Sequence, residues 1–295
     1  MCGILYVIAT PIGNMDDITI RALSILSSVD YIAAEDTRKT GNLLAHHKIS
    51  HGKLISYNEY NENRRGLELI NKLKEGKSIA LVSNAGTPLI SDPGYSLIKI
   101  SIENNIKVIP IPGPSALIAS LSASGMPTDS FIFIGFLPKK ETKRIELLKK
   151  LSKEERTLIF YESPKRIISL LEEIIKIMGD RYGVLARELT KIHEEFLRGM
   201  LSSIIRDIKN RPSVKGECTL IIKYDETIKE EITVEALRSE IYEALKNSKN
   251  KLSIISKDIA KKYGISKDEV YEEALKIKAN LPFEELSLYD SVDKA

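Results

Sequence analysis

The sequence predicts an α/β protein made of two α/β domains, followed by a small helical domain. Three observations carry this. Short β-branched runs alternate with helix-length stretches through most of the 295 residues. The runs are nearly continuous in apolar character, as parallel strands covered on both faces must be. Beyond residue 228 the strand-like runs stop, and Lys, Glu and Ile recur at helical spacing. Such strand–helix alternation builds an open sheet with helices packed against it.

In chain order, residues 4–10, 31–35, 78–83 and 107–111 read as strands. Helix-length segments at 18–28, 59–75 and 95–104 separate them. After Pro112-Gly113-Pro114 a helix is expected over 115–124. Strands at 131–135, 157–161, 183–187 and 219–224 follow. The second half reads as a mixed sheet in which 194–199 pairs with 217–224. Domain limits are placed at 1–113, 114–226 and 227–295. In the last domain, residues 257–266 read as a helix, a turn at Gly264 and the cap of another helix. Ser266 and Glu269 have capping-box spacing there, giving a small helix-turn-helix.

Composition narrows the class. With 43% hydrophobic and 29% charged residues the chain matches ordinary globular proteins rather than disordered ones. No run approaches the 18 or so apolar residues of a membrane span. The opening Met1-Cys2-Gly3-Ile4-Leu5 lacks the basic region of a signal peptide. Cys2 and Cys218 are too few for a disulfide framework or a cysteine-based zinc site, so a reducing cytoplasm is expected. The four histidines, His46, His47, His51 and His193, show no metal-ligand spacing with cysteine and read as loop or surface residues, so no metal is expected. Up to residue 225 there are 32 basic and 26 acidic residues, against 12 and 15 beyond it. A mildly basic body permits a nucleic-acid partner without requiring one.

Three loops of unusual composition follow expected strands: Ala9 to Asn14 (ATPIGN), Ser83 to Gly94 (SNAGTPLISDPG) and Pro110 to Ala116 (PIPGPSA). Ligands of an open parallel sheet bind outside the carboxyl ends of its strands. Glycine lets backbone approach a ligand closely, and proline fixes the path of the loop. Asp92-Pro93 reads as a helix N-cap with proline in the first turn, and Pro114 plays the same part for the next helix. Helix N-termini aimed into the cleft would favour an anionic group. One such loop is equally well a tight turn; three after successive strands favour a small polar, nucleotide-like ligand. Neither a Walker-type loop nor the G-x-G-x-x-G fingerprint is present.

Seven ordered segments resemble the ribosomal RNA small subunit methyltransferase I family, within the tetrapyrrole methylase superfamily. They are Ala9 to Asn14 with Asp17-Ile18-Thr19, Ala34 to Arg38, Val82 to Gly94, Pro112 to Ala116, Phe160 to Arg166, Ala186 to Lys191, and Lys215-Gly216-Glu217. The resemblance runs from residue 5 to about 224, and the helical tail fits the extra domain of that group. It implies two α/β domains of the tetrapyrrole methylase type with S-adenosylmethionine between them, and a homodimer. The implied reaction methylates a cytidine ribose 2′-hydroxyl in the decoding region of 16S ribosomal RNA, on the 30S subunit or its RNA. Gly86-Thr87-Pro88 replaces the Gly-Asp-Pro usual in tetrapyrrole enzymes, which points to the RNA branch. Asn84 stands where that branch carries an acidic residue.

By this resemblance the cofactor residues are Pro11, Gly86, Thr87, Pro88, Ile90, Ser115, Ala116, Tyr161, Glu188 and Thr219. On the acceptor side, Glu35 and Asp36 beside Arg38 offer a general base, or a carboxylate that orients the guanidinium. Glu162 is a further base candidate. Lys165 and Arg166 follow Ser163-Pro164, a plausible helix start where they would hold RNA phosphate. The basic stretch with Lys139, Lys140, Lys143 and Arg144 reads either as an RNA surface or as a solvated helix face, with Glu141 and Glu146 interspersed. Competing functions are a tetrapyrrole methylase of the same fold and a non-catalytic RNA-binding assembly protein.

Overall fold

The computed structural model describes residues 2–224, 234–247, 250–263 and 265–279. Met1–Tyr224 form one compact unit and Asp225–Ala295 a second. The first unit holds two five-stranded sheets.

The first sheet contains β1 (Ile4–Ile8), β2 (Tyr31–Ala34), β3 (Lys53–Ser56), β4 (Ile79–Val82) and β5 (Lys107–Ile111). Their order is β3-β2-β4-β1-β5, and every pair is parallel. Ile8, Ile32, Ala80 and Val82 pack under α1 (Ile20–Ser28) and α2 (Thr37–His46). Leu5, Ala33, Ile79 and Leu81 pack on the other face against α3 (Glu62–Lys74) and α4 (Tyr95–Glu103). Both faces being covered is why the central strands read as unbroken apolar runs. β3 escapes that criterion because it is an edge strand paired only with β2, and just one of its four residues is buried. The first helix starts two residues later than expected, because Thr19 caps it by accepting from the Ala22 N–H at 3.1 Å.

The second sheet follows α5 (Ala116–Ser122). It contains β6 (Phe131–Phe136), β7 (Thr157–Glu162), β8 (Tyr182–Arg187), β9 (Glu195–Met200) and β10 (Cys218–Ile222), in the order β6-β7-β10-β8-β9. Only β6 and β7 are parallel. The expected pairing of 194–199 with 217–224 is corrected: β9 pairs with β8, and β10 enters between β7 and β8. Burial explains the exchange. All five residues of β10 are buried, which suits a central strand, whereas β9 has no buried residue and takes the edge. On one face, α6 (Glu141–Leu151), α7 (Ile167–Met178) and α8 (Leu201–Lys209) cover Leu158, Phe160, Leu185 and Leu220. On the other, Leu121 of α5 joins Ile159, Val184 and Ile221.

The second unit encloses Ile241, Leu245, Ile255, Ile259, Val270 and Ala274 between α9 (Val234–Asn247), α10 (Leu252–Tyr263) and α11 (Lys267–Ala279). Ser266 accepts from the Asp268 N–H at 3.2 Å at the start of α11. Gly264 and the 226/227 limit lie outside the described residues. Among the described residues, no helix is long and apolar enough to cross a membrane.

Three expected helix caps also differ from the structure. The cap of α4 is Gly94, not Asp92; α5 begins at Ala116 after Ser115, beyond Pro114; and α7 begins at Ile167, beyond Ser163-Pro164. Gly94 holds φ +136°, and a Cβ there would stand 2.9 Å from Leu81 Cδ2. Gly125 has a similar sign of φ, +77°, with open space around it. Gly94→Ala is expected to cost about 1–3 kcal/mol of stability. Thermal melts should show it falling further than Gly125→Ala, which carries the backbone strain without the clash.

Candidate active site

Because β4, β1 and β5 are neighbours, the three loops that follow them open side by side. The loops are stitched to each other. Thr10 and Gly86 exchange backbone hydrogen bonds of 2.9 Å in both directions. The Thr10 hydroxyl donates to the Ser83 carbonyl at 3.1 Å, and that of Thr87 to the Pro114 carbonyl at 3.3 Å. The first loop also meets the second sheet. Asn14 N–H donates to Thr190 Oγ1 at 2.9 Å, and Ile12 packs with Ala186 and Leu189. A side chain at Gly13 would strike the Leu189 carbonyl and Lys191, so only glycine allows this approach.

Loops and second sheet together enclose a cavity of about 380 Å³, in the size range of small-molecule sites. Gly86, Thr87 and Ile90 line it from the second loop, Ser115 and Ala116 from the third, and Tyr161 and Thr219 from the second sheet. Tyr161 on β7 and Thr219 on β10 are register partners, so one rung of that sheet supplies both. Three residues expected with them lie elsewhere. Pro88 is buried within its loop. Pro11 lines an adjoining cavity of about 240 Å³ that shares Ile12, Lys39, Asn84, Ala85 and Glu217 with the first. Glu188 borders an open groove, held by Lys191 Nζ at 2.9 Å and by the Glu217 N–H at 3.1 Å. The Lys191 ammonium keeps its carboxyl below the usual range.

The aromatic wall consists of Tyr161 and Phe136. Tyr161 meets Phe133 and Phe136 edge to face, with ring centres 4.9 and 5.8 Å apart. Its hydroxyl accepts from the Leu117 N–H at 2.9 Å. The start of α5 is therefore occupied by a phenol, not left open for an anion. Burial pushes the Tyr161 phenol up. Phe136 stays half-exposed, leaving a ring edge for a flat ligand.

The base candidates separate sharply. Asp36 caps α2, accepting from the Arg38 N–H at 2.9 Å and from the Arg38 guanidinium at 2.9 and 3.2 Å. Those bonds hold its carboxyl down at about 2, and neither residue lines the cavity. Orienting a helix start, not proton transfer, is their visible work. Glu162 lines the cavity but is 3% exposed and committed, with Arg166 Nε at 2.8 Å and the Ser163 N–H at 2.6 Å. Arg166 is thus a partner of Glu162 rather than a free phosphate ligand, while Lys165 is exposed. Arg144 is likewise drawn inward by a two-bond fork to Glu173 at 2.5 and 2.6 Å. Lys139, Lys140 and Lys143 remain exposed at the N-terminal end of α6.

Glu35 does reach the cavity, where its Oε2 accepts from the Asn84 N–H at 2.9 Å. Asp92, which the local sequence casts as a helix cap, lines the same cavity. Burial raises its carboxyl to about 6, helped by the charges of Glu35 and Glu217 and opposed by the Ser83 hydroxyl. Leu89 and Ser91 hold φ of +74° and +68°, so the loop presenting Asp92 is strained on both sides of Ile90. The available signal was a carboxylate in a glycine–proline loop after a strand. What hid it was the Asp-Pro pair, which imitates a capping motif. With Glu35, Asp92 and Glu217 in its lining against the cation Lys39, the cavity suits a cation joined to a flat ring.

A family model described as Tetrapyrrole (Corrin/Porphyrin) Methylases matches residues 4–205. The chain is 49% identical over 221 residues to a protein of Halalkalibacterium halodurans called "Ribosomal RNA small subunit methyltransferase I", covering 75% of this chain and 76% of that one. It is 45% identical to the Escherichia coli O157:H7 protein of the same name, over 92% of this chain and 95% of the other. Among solved structures, it superposes with TM-score 0.53 and 17% identity on a Thermus thermophilus uroporphyrin-III C-methyl transferase complexed with S-adenyl homocysteine, covering 75% and 97% of the two chains. At that identity the likeness is one of fold.

Proposed function

Because the chain belongs to the tetrapyrrole (corrin/porphyrin) methylase family, in the group of ribosomal RNA small subunit methyltransferases I, we propose that it methylates 16S ribosomal RNA with S-adenosylmethionine. The acceptor is the ribose 2′-hydroxyl of a cytidine in the decoding region. The enzyme works in the cytoplasm, as a homodimer, on the 30S subunit or its RNA. The observation that carries this reading is the carboxylate-lined, aromatic-walled cavity where the three loops meet the second sheet.

S-adenosylmethionine supplies a methyl group already activated on a sulfonium. Gly86, Thr87, Ile90, Ser115, Ala116, Tyr161 and Thr219, which line the cavity with Phe136, would hold it. Glu35 and Glu217 favour a positive charge in the cavity. Asp92 is the general base: its raised carboxyl is ionised at neutral pH yet more basic than an ordinary aspartate. Bound in the cavity, the cofactor would supply the methyl group for the ribose oxygen, and Asp92 would take the hydroxyl proton. Lys39, exposed between the two adjoining cavities, is placed to meet a phosphate of the acceptor strand. Lys139, Lys140 and Lys143 add to the positive end of α6, which the helix dipole would otherwise disfavour for cations but which suits phosphate.

The test is transfer of labelled methyl to 30S subunits, naked 16S RNA or a precorrin. Label recovered in one 2′-O-methylcytidine is expected. Label in the tetrapyrrole would overturn the acceptor, and cofactor binding without transfer would favour an assembly role. Replacing Lys139, Lys140 and Lys143 together with Gln should weaken RNA binding and flatten its dependence on salt. The slope of log K against log salt should fall by roughly 2–3, at about 0.7–0.9 per phosphate contact.

A further inference from the structure

Away from the cavity, the fold gathers three metal-binding side chains that the sequence separates by thirty positions. The turn Met15–Asp17 carries Asp16, and the end of α2 carries His46 and its neighbour His47. One ligand atom from each of the three lies within 4.8 Å of the others. We propose that Asp16, His46 and His47 form a site for a divalent transition-metal ion of the zinc type.

Several features support a site over a chance meeting. His46 Nε2 and Asp16 Oδ1 stand 3.6 Å apart. Two ligands at about 2.1 Å from a tetrahedral zinc are separated by roughly 3.4 Å, so a small adjustment seats an ion between them. The His47 ring is held in place, with Nε2 3.0 Å from the Met15 carbonyl. A carbonyl can only accept, so Nε2 carries the proton and Nδ1 presents a lone pair. Metal-bound histidines are commonly oriented by such a bond. Asn14 caps the turn by accepting from the Asp16 N–H at 3.1 Å, which sets the backbone of the third ligand. Two imidazoles and one carboxylate suit zinc, cobalt or nickel, and not magnesium or calcium, which take oxygen donors.

Asp16 and His46 are 80% and 51% exposed in their side chains, so an ion there exchanges freely with solvent. Three protein ligands leave a fourth position for water. The bound ion would tie the turn after the first loop to the end of α2. Met15 from that turn and Lys39 of α2 both line the cavity beside the proposed active site. Occupancy therefore stiffens one wall of that cavity without entering the chemistry.

The experiment is calorimetric titration of untagged protein with Zn²⁺, in a Cys2→Ser background because Cys2 is an exposed thiol. One equivalent is expected, with a rise in melting temperature. His46→Ala, His47→Ala and Asp16→Asn should each weaken binding tenfold or more and abolish the rise. His51→Ala and His193→Ala should bind like the parent. Metal-free melts of all variants check that folding is intact. Binding that survives loss of His46 and His47, or no binding by the parent, would overturn the site. Neither result bears on methyl transfer, which is assayed separately.

Discussion

Asp92→Asn is expected to lower turnover about 10²–10⁴-fold, the usual worth of a general base. Cofactor binding should change little, since Asn keeps the shape and can still pair with Ser83. The wild-type rate should rise with pH through a midpoint near 6, where burial and neighbouring Glu35 place this carboxyl. The variant should lose that rising limb. A variant that keeps a third or more of the wild-type rate would remove Asp92 from the mechanism. Stability should move the other way. The folded-state carboxyl is raised above its unfolded value of 3.8, so the folded protein binds more protons between the two values. Stability from this group is present at low pH and lost as pH rises through about 6. At pH 8 the charge is a burden that Asn lacks, so Asp92→Asn should melt higher than wild type. A gain in stability with a loss of rate distinguishes a strained catalytic carboxylate from a structural one.

Phe160→Ala is expected to cost about 3–5 kcal/mol, the range for emptying a buried aromatic site. Phe160 is fully buried in the middle of β7, opposite Leu220 of β10, under the α7 and α8 layer. Its chain neighbours Tyr161 and Glu162 project into the cavity. The loss should therefore appear first as a lower denaturant midpoint and then as weaker cofactor binding. Phe160→Leu, which keeps most of the volume, should cost much less. Ile192→Ala, at a 97% exposed apolar residue, should stay within about 0.5 kcal/mol. A midpoint shift for Phe160→Ala no larger than that of Ile192→Ala would contradict the packing described for β7.

The elements most visible in the sequence were those buried on both faces. β1, β2 and β4 announce themselves because helices cover each side, while the edge strand β5, with one buried residue of five, shows only through the short Val-Ile-Pro-Ile run after Lys107. β3 did not, because an edge strand of four residues with one buried leaves no pattern. α8 was legible but overlooked: Leu201, Ile204, Ile205 and Ile208 have helical spacing and are all buried. Partner choice in the second sheet was not legible, since nothing local tells β10 to insert between β7 and β8.

The same division holds at the site. Glycine and proline patterning by itself determined that rigid loops follow the strands, because those residues restrict or release backbone locally. The family resemblance also pointed to seven residues that line one cavity. Only the tertiary structure decided what surrounds them. Asp36, Glu162 and Arg144 are spent on ion pairs whose partners lie two to twenty-nine positions away in sequence. Asp92 became the base candidate because burial and the charge of Glu35, brought close by adjacent strands, raised its carboxyl. Local sequence fixes backbone preference, whereas desolvation and charge coupling depend on distances that exist only after the strands are ordered.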